Sequence, residues 1–369
     1  DIYLRGVKDI GTSMARFGII DESIEPVNDN SNPYIINYDA FNYNALPLDF
    51  MRTLKEETAI DKYILTYWSP SSWMKRNKWH SAESWAGNNK LEPHYYLEYA
   101  EQLIATIKAV KEKTGIDLYA VSLQNEPEFN EPYASCVVNW DEYRDLVKAV
   151  GPRFRAEGIT TRIFMPEALW AQGNVDEYVN TLAADPEAAK YVDIVAIHNY
   201  DADGINVGGA GAAHWAQTYQ LAQKLPQGKK TWMTETSGHP DTWDGAITLA
   251  ANIYTALYYG NASGWVWWSF NDSPASAAYG LMVNGEPTSR YEVSKHYYKF
   301  IKPGAVRVGA ESADQDVLSL AFNNSADKKL SVVLINRGTT AKLVNVKSEA
   351  PMPGSFERYT LSLHDALPI

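Results

Sequence analysis

The sequence predicts an α/β barrel followed by a small antiparallel β domain. Two observations carry that reading. Through most of the chain, short apolar runs alternate with amphipathic helical stretches. From about Tyr291 the texture changes to short alternating runs broken by turn residues. Strand–helix alternation calls for a parallel sheet covered by helices. Strands covered on both faces read as continuous apolar runs. A chain of 369 residues, 45% of them apolar, can bury a large core and a smaller one beside it.

Taken in order, strands are expected at Ser13–Ile20, Lys62–Trp68, Leu118–Leu123, Arg162–Pro166, Val192–His198, Lys230–Glu235 and Gly264–Ser269. His94–Lys113 places Tyr96, Tyr99, Leu103, Ile104, Ile107 and Val110 on one helical face, and Gly115 stops it. Asp141–Glu157 and Trp215–Lys224 are further amphipathic helices, and the Ala-rich Ala246–Tyr259 reads as a helix packed on the sheet. A closed barrel of this type has eight strands. Too few residues precede Ser13 for another strand and its helix, so the expected barrel lacks its first strand and keeps unpaired edges. Beyond it, Val306–Val308, Val317–Phe322, Leu330–Asn336, Lys342–Val346 and Phe356–Leu361 are the expected strands of an antiparallel β-sandwich. The expected division is 1–290 for the barrel, 291–361 for the side domain and 362–369 for a non-native tail.

Composition narrows the partners. A formal net charge of −12 makes nucleic acid and anionic membrane surfaces poor ligands and leaves neutral polymers open. Tyr, Trp and Phe make up 12% of the chain, many in polar surroundings. As a group they fit a cleft for flat apolar ligand faces such as sugar rings, with ordinary packing the rival reading. Cys136 is the single cysteine, so no intrachain disulfide can form. No run reaches the roughly 18 apolar residues of a membrane span. The start Asp1-Ile2-Tyr3 has neither the basic region nor the apolar stretch of a leader.

Chemistry is expected at the carboxyl ends of barrel strands. Two runs end there on a glutamate: Leu123-Gln124-Asn125-Glu126-Pro127-Glu128 and Thr231-Trp232-Met233-Thr234-Glu235-Thr236. Two carboxyl groups facing each other, one protonated and one ionised, can cleave a glycosidic bond. A gap of about 5–5.5 Å predicts retention through a covalent intermediate, and roughly 6.5–9.5 Å predicts inversion. Solvated surface charge is the competing reading for any single glutamate.

Asn125-Glu126-Pro127 after an apolar strand, with Glu235 in Trp232-Met233-Thr234-Glu235, resembles glycoside hydrolase family 30. Ser69–Lys75 is similar to the motif after that family's third strand, Trp265–Trp268 to its eighth strand, and Tyr297–Gly304 to its passage into the side domain. The resemblance runs from about Ser13 to Leu361. It implies a (β/α)8 barrel fused to a β-sandwich, with Glu126 as acid/base and Glu235 as nucleophile. It places Arg16 beside the nucleophile, Asn125 on the sugar 2-hydroxyl, and His198 and Tyr200 along the site. A surface ion pair, a turn residue and a structural histidine are the rival readings of Arg16, Asn125 and His198. Trp73, Trp170 and Trp268 are candidate sugar platforms, with core packing as their alternative.

Other chemistries lack their motifs. There is no His-Glu-x-x-His pair, no phosphate-binding glycine loop and no Gly-x-Ser-x-Gly elbow, so neither metal nor cofactor is expected. Family members include xylanases, β-1,6-glucanases, β-1,6-galactanases and glucosylceramidases. Glucuronoxylan-specific members use an arginine after the eighth strand, where Ser269–Tyr279 here has no basic residue. The expectation is a secreted or periplasmic monomer acting on a neutral β-linked polysaccharide. Xylan comes first, with β-1,6-glucan or β-1,6-galactan as alternatives and a non-catalytic carbohydrate-binding protein as another.

Overall fold

The computed structural model describes residues 2–19, 24–82, 87–169, 174–200, 210–349 and 356–361. The elements of the barrel follow in chain order: α1 (Ile2–Ile10), β1 (Met14–Ile19), α2 (Leu48–Glu57), β2 (Lys62–Tyr67), α3 (Tyr96–Thr114), β3 (Ala120–Ser122), α4 (Trp140–Ala156), β4 (Arg162–Leu169), α5 (Val175–Ala183), α6 (Pro186–Ala189), β5 (Ile194–His198), α7 (Ala210–Lys224), β6 (Lys230–Glu235), α8 (Trp243–Tyr258) and β7 (Ala262–Trp265). Strands β1 to β7 form one seven-stranded sheet in sequence order, with every neighbouring pair parallel. All seven expected strands are present, offset by a few residues at most of their ends.

The chain is laid out in layers. Ile64, Ala120, Phe164, Ile194, Ala196 and Trp232 pack together inside the curve of the sheet. A larger cluster fills the space between strands and outer helices, joining Leu103 and Val110 of α3, Val147 of α4 and Val179 of α5 to Leu65, Val121 and Val195. The continuous apolar strands are thus buried on both faces, as a helix-covered parallel sheet requires. No helix among the described residues is long and apolar enough to cross a membrane.

The residues before Ser13 form a helix rather than a strand. Helix α1 is short but amphipathic, with Val7 and Ile10 buried. Tyr3 meets Phe50 of α2 at 5.2 Å and Phe270, just past β7, at 4.8 Å. The helix therefore touches apolar groups from both ends of the open sheet, where a closed barrel would have further strand pairing.

After β7 come three two-residue strands, β8 (Asn271–Asp272), β9 (Met282–Val283) and β10 (Glu286–Pro287), then helix α9 (Ser289–Tyr298). The antiparallel region consists of β11 (Val306–Val308), β12 (Val317–Asn324) and β13 (Lys329–Asn336), with β12 in the middle. Leu318, Leu320, Phe322 and Ile335 of this sheet share a core with Leu249 and Ile253 of α8 and Tyr297 of α9. Two further expected strands do not form. Residues 342–346 and 356–361 have no strand pairing, and Leu343 is 94% exposed. Alternation supplies an apolar face, but a strand also needs a hydrogen-bonded neighbour and something to cover that face.

One small residue sets the geometry at the first edge. Gly18 of β1 lies where an added Cβ would come within 2.6 Å of the Trp68 ring. That ring in turn lies 4.8 Å from the Arg16 guanidinium. Gly18→Val is expected to displace Trp68 and cost about 1–3 kcal/mol of stability by overpacking, measured by urea unfolding with indole fluorescence reporting the shift.

Candidate active site

Three departures from regular strand geometry build the site. After β3, Asn125 N–H donates to the Tyr67 carbonyl at 2.7 Å, prolonging the β2–β3 ladder past the strand's end. Glu126 then adopts φ +40°, and its N–H donates to the Glu167 carbonyl at 3.2 Å. A residue before proline is steered away from the right-handed helical region, and here the chain turns the Glu126 side chain into the sheet's open end. On β4 the register with β5 shifts between Pro166 and Ala168, leaving Glu167 as the extra residue at φ +58°. On β6 the partners of Ile197 and His198 are Met233 and Glu235, so Thr234 is skipped. Such bulges re-aim side chains, and this one sets Glu235 beside His198.

The result is a buried charge cluster. Arg16, from β1, donates through Nη1 to Glu235 Oε2 at 2.6 Å, through Nη2 to Asn125 Oδ1 at 2.8 Å and through Nε to Thr66 Oγ1 at 3.0 Å. Its Nη2 also lies 3.1 Å from Glu167 Oε1. The His198 ring spans two carboxylates, with Nδ1 at 2.8 Å from Glu126 Oε1 and Nε2 at 3.3 Å from Glu167 Oε1. The Tyr200 hydroxyl donates to Glu235 Oε1 at 2.5 Å. Glu126 and Glu235 present carboxylate oxygens that lie, with a His198 nitrogen, within 4.8 Å of one another.

The charges explain one another. Burial opposes ionisation of Glu167, but Arg16 and then His198 outweigh it and hold the carboxyl at about 2. Burial likewise opposes a charged His198, yet Glu235 and the bonds to Glu126 and Glu167 push it up to about 10. Both ring nitrogens of His198 are therefore committed as donors. Burial first, then Glu235, raises the Tyr200 phenol, which keeps it a donor.

Residues 27–278, more than half of the chain, match the model of the glycosyl hydrolase family 30 TIM-barrel domain, and residues 304–364 match that of the family 30 beta sandwich domain. The chain belongs to glycoside hydrolase family 30. Among family 30 relatives, it is 27% identical to glucuronoxylanase XynC of Bacillus subtilis strain 168, over 74% of this chain and 60% of that protein. A putative glucosylceramidase of Caenorhabditis elegans is 24% identical over 85% of this chain and 63% of its own. The crystal structure of the family 30 subfamily 8 xylanase Xyn30A from Clostridium acetobutylicum superposes with a TM-score of 0.72, at 25% identity, over 92% of this chain and 77% of that one. The chain thus spans about three-fifths of the length of the curated relatives it matches.

Of the residues singled out from the family 30 resemblance, Arg16, Asn125, Glu126, His198, Tyr200 and Glu235 come together in this cluster. Trp268 joins its margin, 5.7 Å from Trp68. Trp73 is placed differently: its indole N–H donates to the Glu25 carbonyl at 2.9 Å and its ring meets Tyr95 edge-on at 5.1 Å. Trp170 lies outside the described residues. Sequence reasoning missed Glu167, the most deeply embedded of the three carboxylates. The signal was available, since Phe164-Met165-Pro166-Glu167 also carries an apolar run to a glutamate, but Pro166 marks the expected end of that strand. It also missed Glu128, whose Oε1 accepts the Leu169 N–H at 2.6 Å and ties the loop after β3 to the end of β4.

The cluster predicts how stability depends on pH. His198 is raised in the folded state, so its contribution is complete below its ordinary value of 6.5 and drains away as pH climbs through about 10. Glu167 is depressed, so its contribution is complete above 4.5 and is lost as pH falls through about 2. Urea unfolding from pH 3 to 10 should therefore show a broad maximum between those limits. Glu167→Gln should lower stability by about 3–5 kcal/mol at pH 7, because two buried cations lose a shared partner. It should also bring the alkaline decline to lower pH.

Proposed function

We propose that this chain is a retaining β-glycosidase in which Glu235 is the nucleophile and Glu126 the acid/base. The observation that carries the reading is the close approach of the two carboxylates, within 4.8 Å. Oxygens that close fit direct attack better than the roughly 6.5–9.5 Å separation of an inverting pair. An asymmetry in their partners supports the division of roles. Both oxygens of Glu235 receive donors, from Arg16 and Tyr200, which holds its carboxylate aimed. Glu126 is held through Oε1 by His198.

In this reading a Glu235 oxygen attacks the anomeric carbon while Glu126 gives its proton to the leaving oxygen. A glycosyl ester forms at Glu235 as the glycosidic bond breaks. Water then attacks the same carbon, Glu126 takes its proton, and Glu235 departs as the carboxylate. Asn125, fixed through Oδ1 by Arg16, turns its amide donors toward the sugar 2-hydroxyl. Trp268 beside Trp68 supplies an aromatic wall. The same reading takes 1–290 as the catalytic unit and 291–361 as its side domain.

For the substrate we favour a neutral β-linked polysaccharide, xylan first. The loop 269–279 has no basic residue. The neighbouring Arg290 is 2% exposed and spends its donors on the carbonyls of Gly280, His239 and Ala277, so it holds the loop rather than a substrate carboxylate. β-1,6-Glucan and β-1,6-galactan are the alternatives, and a secreted or periplasmic monomer is the setting we infer.

A panel of β-1,4-xylan, β-1,6-glucan and β-1,6-galactan with product analysis tests the substrate. Release of xylo-oligosaccharides alone is the expected result. With an activated aryl β-xyloside, Glu235→Gln should lower turnover on the order of 10⁴-fold or more. Glu126→Ala should accumulate the glycosyl–enzyme and be rescued by azide, giving a β-glycosyl azide. Sugar binding without turnover in the unaltered chain would overturn the catalytic reading in favour of a carbohydrate-binding protein.

A further inference from the structure

A second group of acids lies apart from Glu126, Glu167 and Glu235. Asp29 sits in the loop that follows β1, and Glu98 and Glu101 are one turn apart on the same face of α3. Oxygens from these three side chains lie within 4.8 Å of one another. A fourth carboxylate, Glu25, is fully buried and interacts electrostatically with all three. After burial itself, the charges of Glu101, Asp29 and Glu98 act to push it up to about 9.

The hydrogen bonding around this group is incomplete. The Glu98 and Glu101 carboxyls contact each other, Asn28 reaches Glu98 and the Asp29 backbone reaches Glu25, but both oxygens of Glu25 and of Glu101, Oε2 of Glu98 and Oδ1 of Asp29 receive no well-formed hydrogen bond from a neighbouring donor. Buried polar atoms are almost always satisfied, and unpaired charge in the interior is costly. Arg153 acts electrostatically on Glu98 and Glu101, yet among the described residues it forms no ion pair with them. Its Nη1 donates to the Pro33 carbonyl and its guanidinium lies over the Tyr34 ring at 4.5 Å.

We propose that Asp29, Glu98 and Glu101 bind one calcium ion beside the buried Glu25. The donors are all hard carboxylate oxygens, with neither imidazole nor thiolate among them, which excludes a preference for zinc or copper. Calcium takes six to eight oxygens at about 2.3–2.6 Å in irregular geometry, so two of its ligands can stand up to roughly 5 Å apart. Magnesium demands a tighter octahedron and keeps several waters, which a largely enclosed group of three carboxylates suits poorly. Bound calcium would join the loop after β1 to helix α3. It would also steady Glu25, whose carbonyl holds the Trp73 indole. The ion therefore belongs to the packing of this loop against α3 and has no part in the bond-breaking step.

The test uses the whole chain, stripped of metal with a chelator and titrated with calcium chloride. Calorimetry should give one site per chain. At a hundredfold excess over Kd, the melting temperature should rise by about 3–5 °C. Magnesium at the same concentration should produce less than a third of that rise. Glu101→Gln and Asp29→Asn should each abolish most of the increment. Neither should lower the melting temperature of the metal-free protein, because each removes like-charge repulsion; this separates loss of the site from loss of the fold. Terbium luminescence sensitised by the nearby aromatic rings gives a second readout, displaced by calcium in the unaltered chain and absent in Glu101→Gln. No calcium-dependent heat or melting shift at millimolar calcium would overturn the proposal. An equal response to magnesium, or an increment that survives both substitutions, would do the same.

Discussion

The site depends on one buried guanidinium. Arg16 stands on an edge strand of an open sheet and reaches across its interior to Thr66 on β2, Asn125 after β3, Glu167 on β4 and Glu235 at the end of β6. Without a partner such a group would not be tolerated in the interior. With these partners it acts as a spoke, fixing the separation between strands that do not touch one another. The planar fork suits the task, since it serves several acceptors at once and stacks its face on Trp68. His198 makes the second link, joining Glu126 to Glu167. Three carboxylates can face the cleft only because these two cations lie among them.

Backbone irregularity is the means by which the sequence delivers these groups. A regular strand sends successive side chains to opposite faces. The extra residues at Glu167 and Thr234 break that alternation where strands β4 and β6 approach their carboxyl ends. The left-handed turns at Glu126 and Glu167 carry an energetic cost for residues with a Cβ. They persist because each is held by ladder hydrogen bonds on one side and by the charge cluster on the other.

Much of this was legible in the sequence, and the reasons for the rest are physical. Strands covered on both faces leave continuous apolar runs, so all seven were readable. Glu126 and Glu235 were readable because an ionisable side chain at the end of such a run stands at the mouth of the sheet, where burying it is costly unless it is paired. Glu167 was lost because proline ordinarily ends a strand, and no single-residue signal announces a bulge. Helix α1 was overlooked because a run of nine residues is short for a helical pattern to declare itself. Residues 342–346 and 356–361 failed in the opposite direction: an alternating pattern describes one face of a strand and says nothing of its neighbour.

The molecule handles two groups of acids in opposite ways. Around Glu126, Glu167 and Glu235, Arg16 and His198 lie within hydrogen-bonding reach, and the Glu167 carboxyl is held far below its ordinary range. Around Glu25, Asp29, Glu98 and Glu101 there is no comparable contact among the described residues, and burial with mutual repulsion drives Glu25 and Glu101 up to about 9 and about 8. In the first arrangement protein cations supply the opposing charge. The second is an arrangement of acceptors awaiting positive charge, which protons can supply only one at a time. It lies on the loop after β1, beside the anchors of Trp73 and Tyr34, so the way that charge is supplied bears on how this loop is held against α3.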